Sequence, residues 1–157
     1  ANGAAVARAI GRPPREPVVP ASPLDGYSGR PLPRKLGIKQ DAVVGLSGAP
    51  PGFRETLGEL PEGARVAAGI RGRCDTILWF VRSLRVLEQG IARIVKREDF
   101  RGLWILWPKK ASGVRADLGE KDVRRVGLAS GLVDYKICAV DAVWSGLLFA
   151  RRRAGKA

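Results

Sequence analysis

Apolar positions in this chain fall into short runs that leave no polar face. In Arg101–Gly113 (RGLWILWPKKASG), Leu103, Ile105 and Trp107 alternate with Trp104 and Leu106, and neither set is polar. Side chains alternate across a strand, so a strand of this kind must be covered on both faces, as in a parallel sheet flanked by helices. Pro108 has no N–H to give a ladder and marks the strand's end. Thr76–Val81 (TILWFV) has the same character, Ala42–Leu46 (AVVGL) is a shorter apolar run bounded by Asp41 and Ser47-Gly48, and Arg65–Ala68 is a weaker strand.

Between these runs the period changes from two to that of a helix. Pro31–Leu36 forms a short helical turn that Gly37 stops, and Phe53, Leu57 and Leu60 follow helical spacing until Pro61. Ser83 caps a helix whose Leu84, Leu87, Ile91, Ile94 and Val95 make one apolar stripe, with Arg85, Arg93 and Lys96 turned away from it. Asp117 and Glu120 stand in capping-box spacing before Lys121–Ala129, and Gly131 suits the position just past that helix. From Tyr135 the pattern alternates again: Ile137 and Ala139, then Leu147 and Phe149, lie on two short strands joined around Asp141–Ser145, close enough to pair as an antiparallel hairpin. The pattern predicts an α/β domain of three layers, a mostly parallel sheet with a C-terminal antiparallel hairpin. Thr76–Val81 and Leu103–Trp107 are expected as adjacent, parallel, central strands, because one amphipathic helix joins them. Residues 1–26, rich in Pro, Ala and Arg, are expected to be a disordered tail, 27–150 a single domain and 151–157 a basic tail.

At 157 residues the chain can bury about two-thirds of its unfolded surface. The 28 Lys+Arg against 15 Asp+Glu leave +13, a field that admits an anionic ligand, an acidic partner or weak, non-specific nucleic-acid association. Histidine is absent, which excludes imidazole acid–base catalysis and His-ligated metal sites. Cys74 and Cys138 lack C-x-x-C spacing and read as reduced core thiols, so no metal site is expected. No apolar run approaches the roughly 20 residues of a membrane span, and Ala1–Ile10 is too short and polar-interrupted for a secretory signal. A soluble, cytoplasmic protein without membrane association is the expectation.

The strand pattern resembles the later part of the Rossmann-like fold of class I S-adenosylmethionine methyltransferases. Tyr27-Ser28-Gly29, Pro33–Gly37 (PRKLG), Trp107–Gly113 (WPKKASG), Gly131–Asp134 (GLVD), Lys136–Asp141 (KICAVD) and Trp144–Leu147 (WSGL) together resemble a small bacterial domain-of-unknown-function family. That likeness spans about Tyr27 to Arg152 and implies no activity. The first resemblance implies a glycine-rich turn after the first strand and an acidic residue ending the second. Here stand Ser47-Gly48-Ala49-Pro50-Pro51-Gly52, with prolines in the turn, and Ala67-Ala68-Gly69 in place of the acid, so no cofactor is expected. Neither G-x-G-x-x-G nor G-x-x-x-x-G-K-[ST] occurs.

The loops that follow the parallel strands share one rim of the sheet, where open α/β sheets bind ligands. Ser47, Gly48, Arg82, Ser83, Lys109, Lys110 and Ser112 fall there, a set of small groups, hydroxyls and cations suited to an anion, with the N–H groups of the helix start after Ser83 adding to it. The same residues can instead solvate the rim, with Ser83 only a cap. Asp134, Tyr135, Lys136 and Asp141 form a polar cluster better read as turn-forming and surface-pairing groups than as acid–base catalysts, and no catalytic residue is singled out. Trp79, Trp104 and Trp144 read as core. The first functional reading is a non-catalytic binding or regulatory module for an anionic ligand or acidic partner. The second is a divergent S-adenosylmethionine-dependent methyltransferase, and the third a weak, non-specific nucleic-acid-associated protein.

Overall fold

The computed structural model of the chain describes residues 31–97 and 100–151. The expected N-terminal tail, Tyr27–Gly29 and residues 152–157 lie outside them. The chain divides at Pro31/Leu32, and every element below belongs to the unit that begins at Leu32. Along it come α1 (Leu32–Lys35), β1 (Val43–Ser47), α2 (Phe53–Leu57), β2 (Arg65–Ala67), β3 (Thr76–Phe80), α3 (Leu84–Val95), β4 (Gly102–Pro108), a 3₁₀ turn (Lys110–Ser112), α4 (Glu120–Ala129), β5 (Leu132–Ala139) and β6 (Trp144–Arg151). Arg151, placed by its sequence in a basic tail, closes β6.

The strands form one six-stranded sheet in the order β2-β1-β3-β4-β6-β5. β2, β1, β3 and β4 are parallel, whereas β6 runs antiparallel to both β4 and β5. The expected parallel neighbours are in place and central: β3 pairs with β4 in the register Leu78↔Trp104, and all five β3 residues are buried. The C-terminal pair is longer than its alternation suggested, because the β5 pattern is interrupted by an irregularity between Asp134 and Lys136.

Each face has its own core. Ile77, Trp79, Leu103, Ile105 and Trp107 pack against Leu87, Ile91 and Ile94 of α3 and Val123 and Val126 of α4. On the other face Val44, Leu78, Phe80, Trp104 and Leu106 meet Leu36, Ile38, Phe53, Leu57 and Trp144. Each large apolar side chain taken fully out of water contributes about 1.5–3 kcal/mol, so the two-faced strands Thr76–Phe80 and Gly102–Pro108 hold the three layers together. Trp104 is wholly buried, and its Nε1–H donates to the Leu36 carbonyl at 2.9 Å, which meets the polar need of a buried indole.

Several boundaries differ for local reasons. Pro108 does not end the pairing: it pairs with Trp144 of β6, and the Lys109 N–H donates to the Val143 carbonyl at 2.7 Å. Helix α2 stops at Leu57 rather than Leu60, because Gly58 takes a positive φ (82°) with an extended ψ that carries the chain out of the helix. The box expected from Asp117 and Glu120 is replaced by Asp122, whose carboxylate accepts the Gly119 N–H at 3.0 Å at the start of α4. Asp117 serves another helix, described below. Gly37 (φ 77°) and Gly131 (φ 93°) take the left-handed conformations expected where their helices end.

Candidate functional site

The rim where β1, β3 and β4 end brings together the loops predicted to meet, and most of their polar groups are already engaged. Ser83 is the N-cap of α3, and its hydroxyl accepts the Val86 N–H at 3.3 Å. The Leu84 N–H donates to the Asp117 carboxylate at 2.7 Å, and the Asp117 N–H donates to the Arg82 carbonyl at 3.2 Å. Two of the N–H groups at this helix start, those of Leu84 and Val86, are therefore already taken by a carboxylate and a hydroxyl of the protein itself.

Lys109 is likewise committed. Its ammonium donates to the Asp141 carbonyl at 2.7 Å, tying the β4 loop to the β5–β6 connection. Asp141 shapes that connection through its carboxylate, which accepts the N–H groups of Val143 at 2.9 Å and Trp144 at 2.8 Å. The Ser112 hydroxyl donates to the Lys109 carbonyl at 2.6 Å and accepts the Val114 N–H at 3.1 Å. Two rim cations remain exposed: Lys110, and Arg82, whose guanidinium lies 5.3 Å from the centre of the Trp144 ring. Neither has a carboxylate partner among the described residues. Trp144, Trp104 and Trp79 are buried, as their patterning implied. Away from the rim, the Asp134 carboxylate, and after it Glu120, holds the Arg124 guanidinium above its ordinary pKa.

The turn after β1 is built for close approach. Gly48 has φ 73°, and a Cβ there would stand 2.7 Å from the Phe80 carbonyl oxygen, so the backbone of this turn passes directly over the end of β3. Beside it opens a cleft of about 310 Å³, lined by Ser47, Ile70, Trp79, Val86, Gln89, Gly90, Arg93 and Ile94. Ser47 and Trp79 are register partners and face α3 together. Gly90 lets the helix sit directly on the indole, since a Cβ there would be 2.8 Å from the Trp79 ring. The cleft exists because residues 68–75, which carry the chain from β2 across β1 to β3, hold no helix. Ile70, Cys74 and the Gly69 carbonyl of that connection reach over β1, to where a Cβ on Gly45 would lie. Of its lining, Ser47 alone was singled out from the sequence. Trp79 was read as core, and the half-exposed Val86 (51%) was the legible signal, an apolar residue off the α3 stripe.

No protein-family model matches the sequence, and no curated protein matches it. Solved structures do. A candidate type 11 methyltransferase from Sulfolobus solfataricus superposes with a TM-score of 0.54 at 17% identity, over 83% of this chain and 92% of that one. The fold is Rossmann-like. A Streptococcus agalactiae protein of the NADB-Rossmann superfamily gives 0.49 at 12% identity, covering 78% of this chain and 68% of its own. Magnesium protoporphyrin IX methyltransferase from Synechocystis PCC 6803, solved with bound S-adenosylmethionine, gives 0.41 at 17% identity over 59% of this chain. This chain spans less than half (46%) of that enzyme.

No helix among the described residues is long and apolar enough to cross a membrane. No group of three or more Cys, Asp or Glu side chains that could hold a metal forms among them.

Proposed function

We propose that the protein is a small-molecule-binding module on a methyltransferase-like Rossmann scaffold, and that its ligand is nucleoside-like, lying in the cleft between β1, β3 and α3. The observation that supports this is the make-up of that cleft: an indole edge and the side chains of Ile70 and Val86 for a flat ring, Ser47 and Gln89 as hydrogen-bonding groups, and Arg93 for an anionic end. Its volume of about 310 Å³ is that of a small ligand site, and mostly apolar walls with a few converging polar groups are what such sites have. Arg82 and Lys110, exposed on the neighbouring loops, favour an anionic ligand over a cationic one. WPKKASG, KICAVD and WSGL, the stretches likened to a small bacterial family, meet at the same end of the sheet through the Lys109–Asp141 bond.

A second reading, a divergent S-adenosylmethionine-dependent methyltransferase, is favoured by the left-handed Gly48 turn packed on Phe80 and by the scaffold's likeness to a candidate methyltransferase. Methyl transfer from a sulfonium needs mainly a held, in-line nucleophile, so it does not demand a histidine. Against it stand Ala67-Ala68-Gly69 at the end of β2, where a ribose-binding acid is wanted. Calorimetric titration with S-adenosylmethionine, S-adenosylhomocysteine and adenosine separates the two. Adenosine binding at least as well as S-adenosylmethionine supports the module; micromolar binding selective for S-adenosylmethionine supports the enzyme. Failure of all three to bind defeats both.

A further inference from the structure

The opposite end of the sheet carries a second cleft that the strand topology does not call for. Open α/β sheets place their ligands beyond the carboxyl ends of the strands, yet about 350 Å³ of space lies at the amino ends of β1, β3 and β4. Leu148, half-buried, gives it an apolar floor beside the buried Leu36 and Ala42, and Tyr135 of β5 stands at its side, 67% exposed. Its charged groups are Lys39, Asp41, Arg73, Asp75 and Arg101.

The walls are fixed by one residue. The Asp75 N–H donates to the Val43 carbonyl at 2.8 Å, and its own carbonyl accepts the N–H groups of Arg101 at 2.8 Å and Gly102 at 3.3 Å. Its carboxylate accepts the Val43 N–H at 2.8 Å on one oxygen and a guanidinium N–H of Arg73 at 3.0 Å on the other. Asp75 thus joins the starts of three parallel strands and neutralises Arg73. The preceding loop is pinned from the other side by the Trp104 indole on the Leu36 carbonyl. Asp41 packs its carboxylate toward Gly63, where a Cβ would collide with it. Two cations then remain over the cleft, Lys39 and Arg101, both exposed and without an ion-pair partner among the described residues.

We infer that this cleft is a second binding site, for a small molecule with an aromatic ring and one phosphate or carboxylate group. The ring lies on Leu148 beside the Tyr135 phenol, and the anionic group meets Lys39 and Arg101. Anchored backbone at each cation lowers the ordering needed on binding, which is how a preformed site gains affinity. The site is independent of the cleft at the carboxyl ends.

Titration calorimetry with adenosine monophosphate and 4-hydroxybenzoate, with inorganic phosphate and phenol as half-ligands, tests this. The titrations use a Val86→Arg background in which the carboxyl-end cleft is filled, so that failure here and failure of the function proposed above remain distinguishable. The expected result is binding of one or both full probes, phosphate or carboxylate preference following from which binds tighter, and at least tenfold weaker binding of each half-ligand. Arg101→Gln and Tyr135→Ala, both exposed, should each weaken the full probe at least tenfold at an unchanged melting temperature. Amide NMR shifts should centre on Lys39, Arg101 and Tyr135. Absence of binding at millimolar probe, or binding unaltered in the folded Arg101→Gln protein, overturns the proposal.

Discussion

The Asp117 carboxylate accepts the Leu84 N–H at 2.7 Å from 33 residues away, and so takes the first N–H of α3. Together with the Ser83 hydroxyl on Val86 N–H it gives the helix two caps where sequence spacing indicated one. Removing a capping side chain costs about 0.5–2 kcal/mol. Asp117→Ala should therefore lower the melting temperature by several degrees, and added sulfate should raise the variant's melting temperature more than the wild type's, because the emptied place then takes an anion. Equal sulfate responses would show that Asp117 does not occupy an anion position.

The two lysines of the rim should behave differently. Lys109 is held by the Asp141 carbonyl, whereas Lys110 is exposed. Hydrogen bonds to charged groups contribute about 1.5–3 kcal/mol, and partial exposure places this one near the lower end. Lys109→Ala should measurably destabilise the protein, while Lys110→Ala should stay within about 0.5 kcal/mol of wild type, as exposed substitutions do. Equal melting temperatures for the two variants would remove the structural role given to Lys109.

Gly48 joins the fold to the proposed site. Its φ of 73° and the 2.7 Å between a built Cβ and the Phe80 carbonyl oxygen leave no room for a side chain. Gly48→Ala should cost about 1–3 kcal/mol and weaken ligand binding by displacing Ser47. Chemical denaturation and calorimetry on the same preparation check both. A variant as stable as wild type would mean that the turn relaxes freely and is not the rigid wall described here.

What could be read from the chain alone follows the range of the forces involved. The two-faced apolar runs around Trp79 and Trp104, the α3 stripe from Leu84 to Val95 and the cap at Ser83 are local patterns, and the structure reproduces them. The hairpin was legible too, though not its full length, since the irregularity between Asp134 and Lys136 breaks the alternation. The commitments of polar groups were not legible. Lys109 with Asp141, Asp117 with Leu84 and Asp75 with Val43 lie about thirty residues apart in each case, and spacing rules reach only three or four. That is why the rim looked richer in free donors than it is. The cleft beside Trp79 escaped for a related reason: it arises from the helix-free passage of residues 68–75 across β1, and a missing layer leaves no periodic signature.

The most direct measurement of the central claim is the affinity for adenosine, by titration calorimetry, of the wild-type protein and of Val86→Arg, which places a long cation in the cleft over Trp79. Val86 is 51% exposed, so the substitution should leave the fold intact, as its melting temperature will report. Saturable binding to the wild type and at least tenfold weaker binding to the variant are the expected results. Equal affinities, or no binding to a folded wild-type protein, would contradict it.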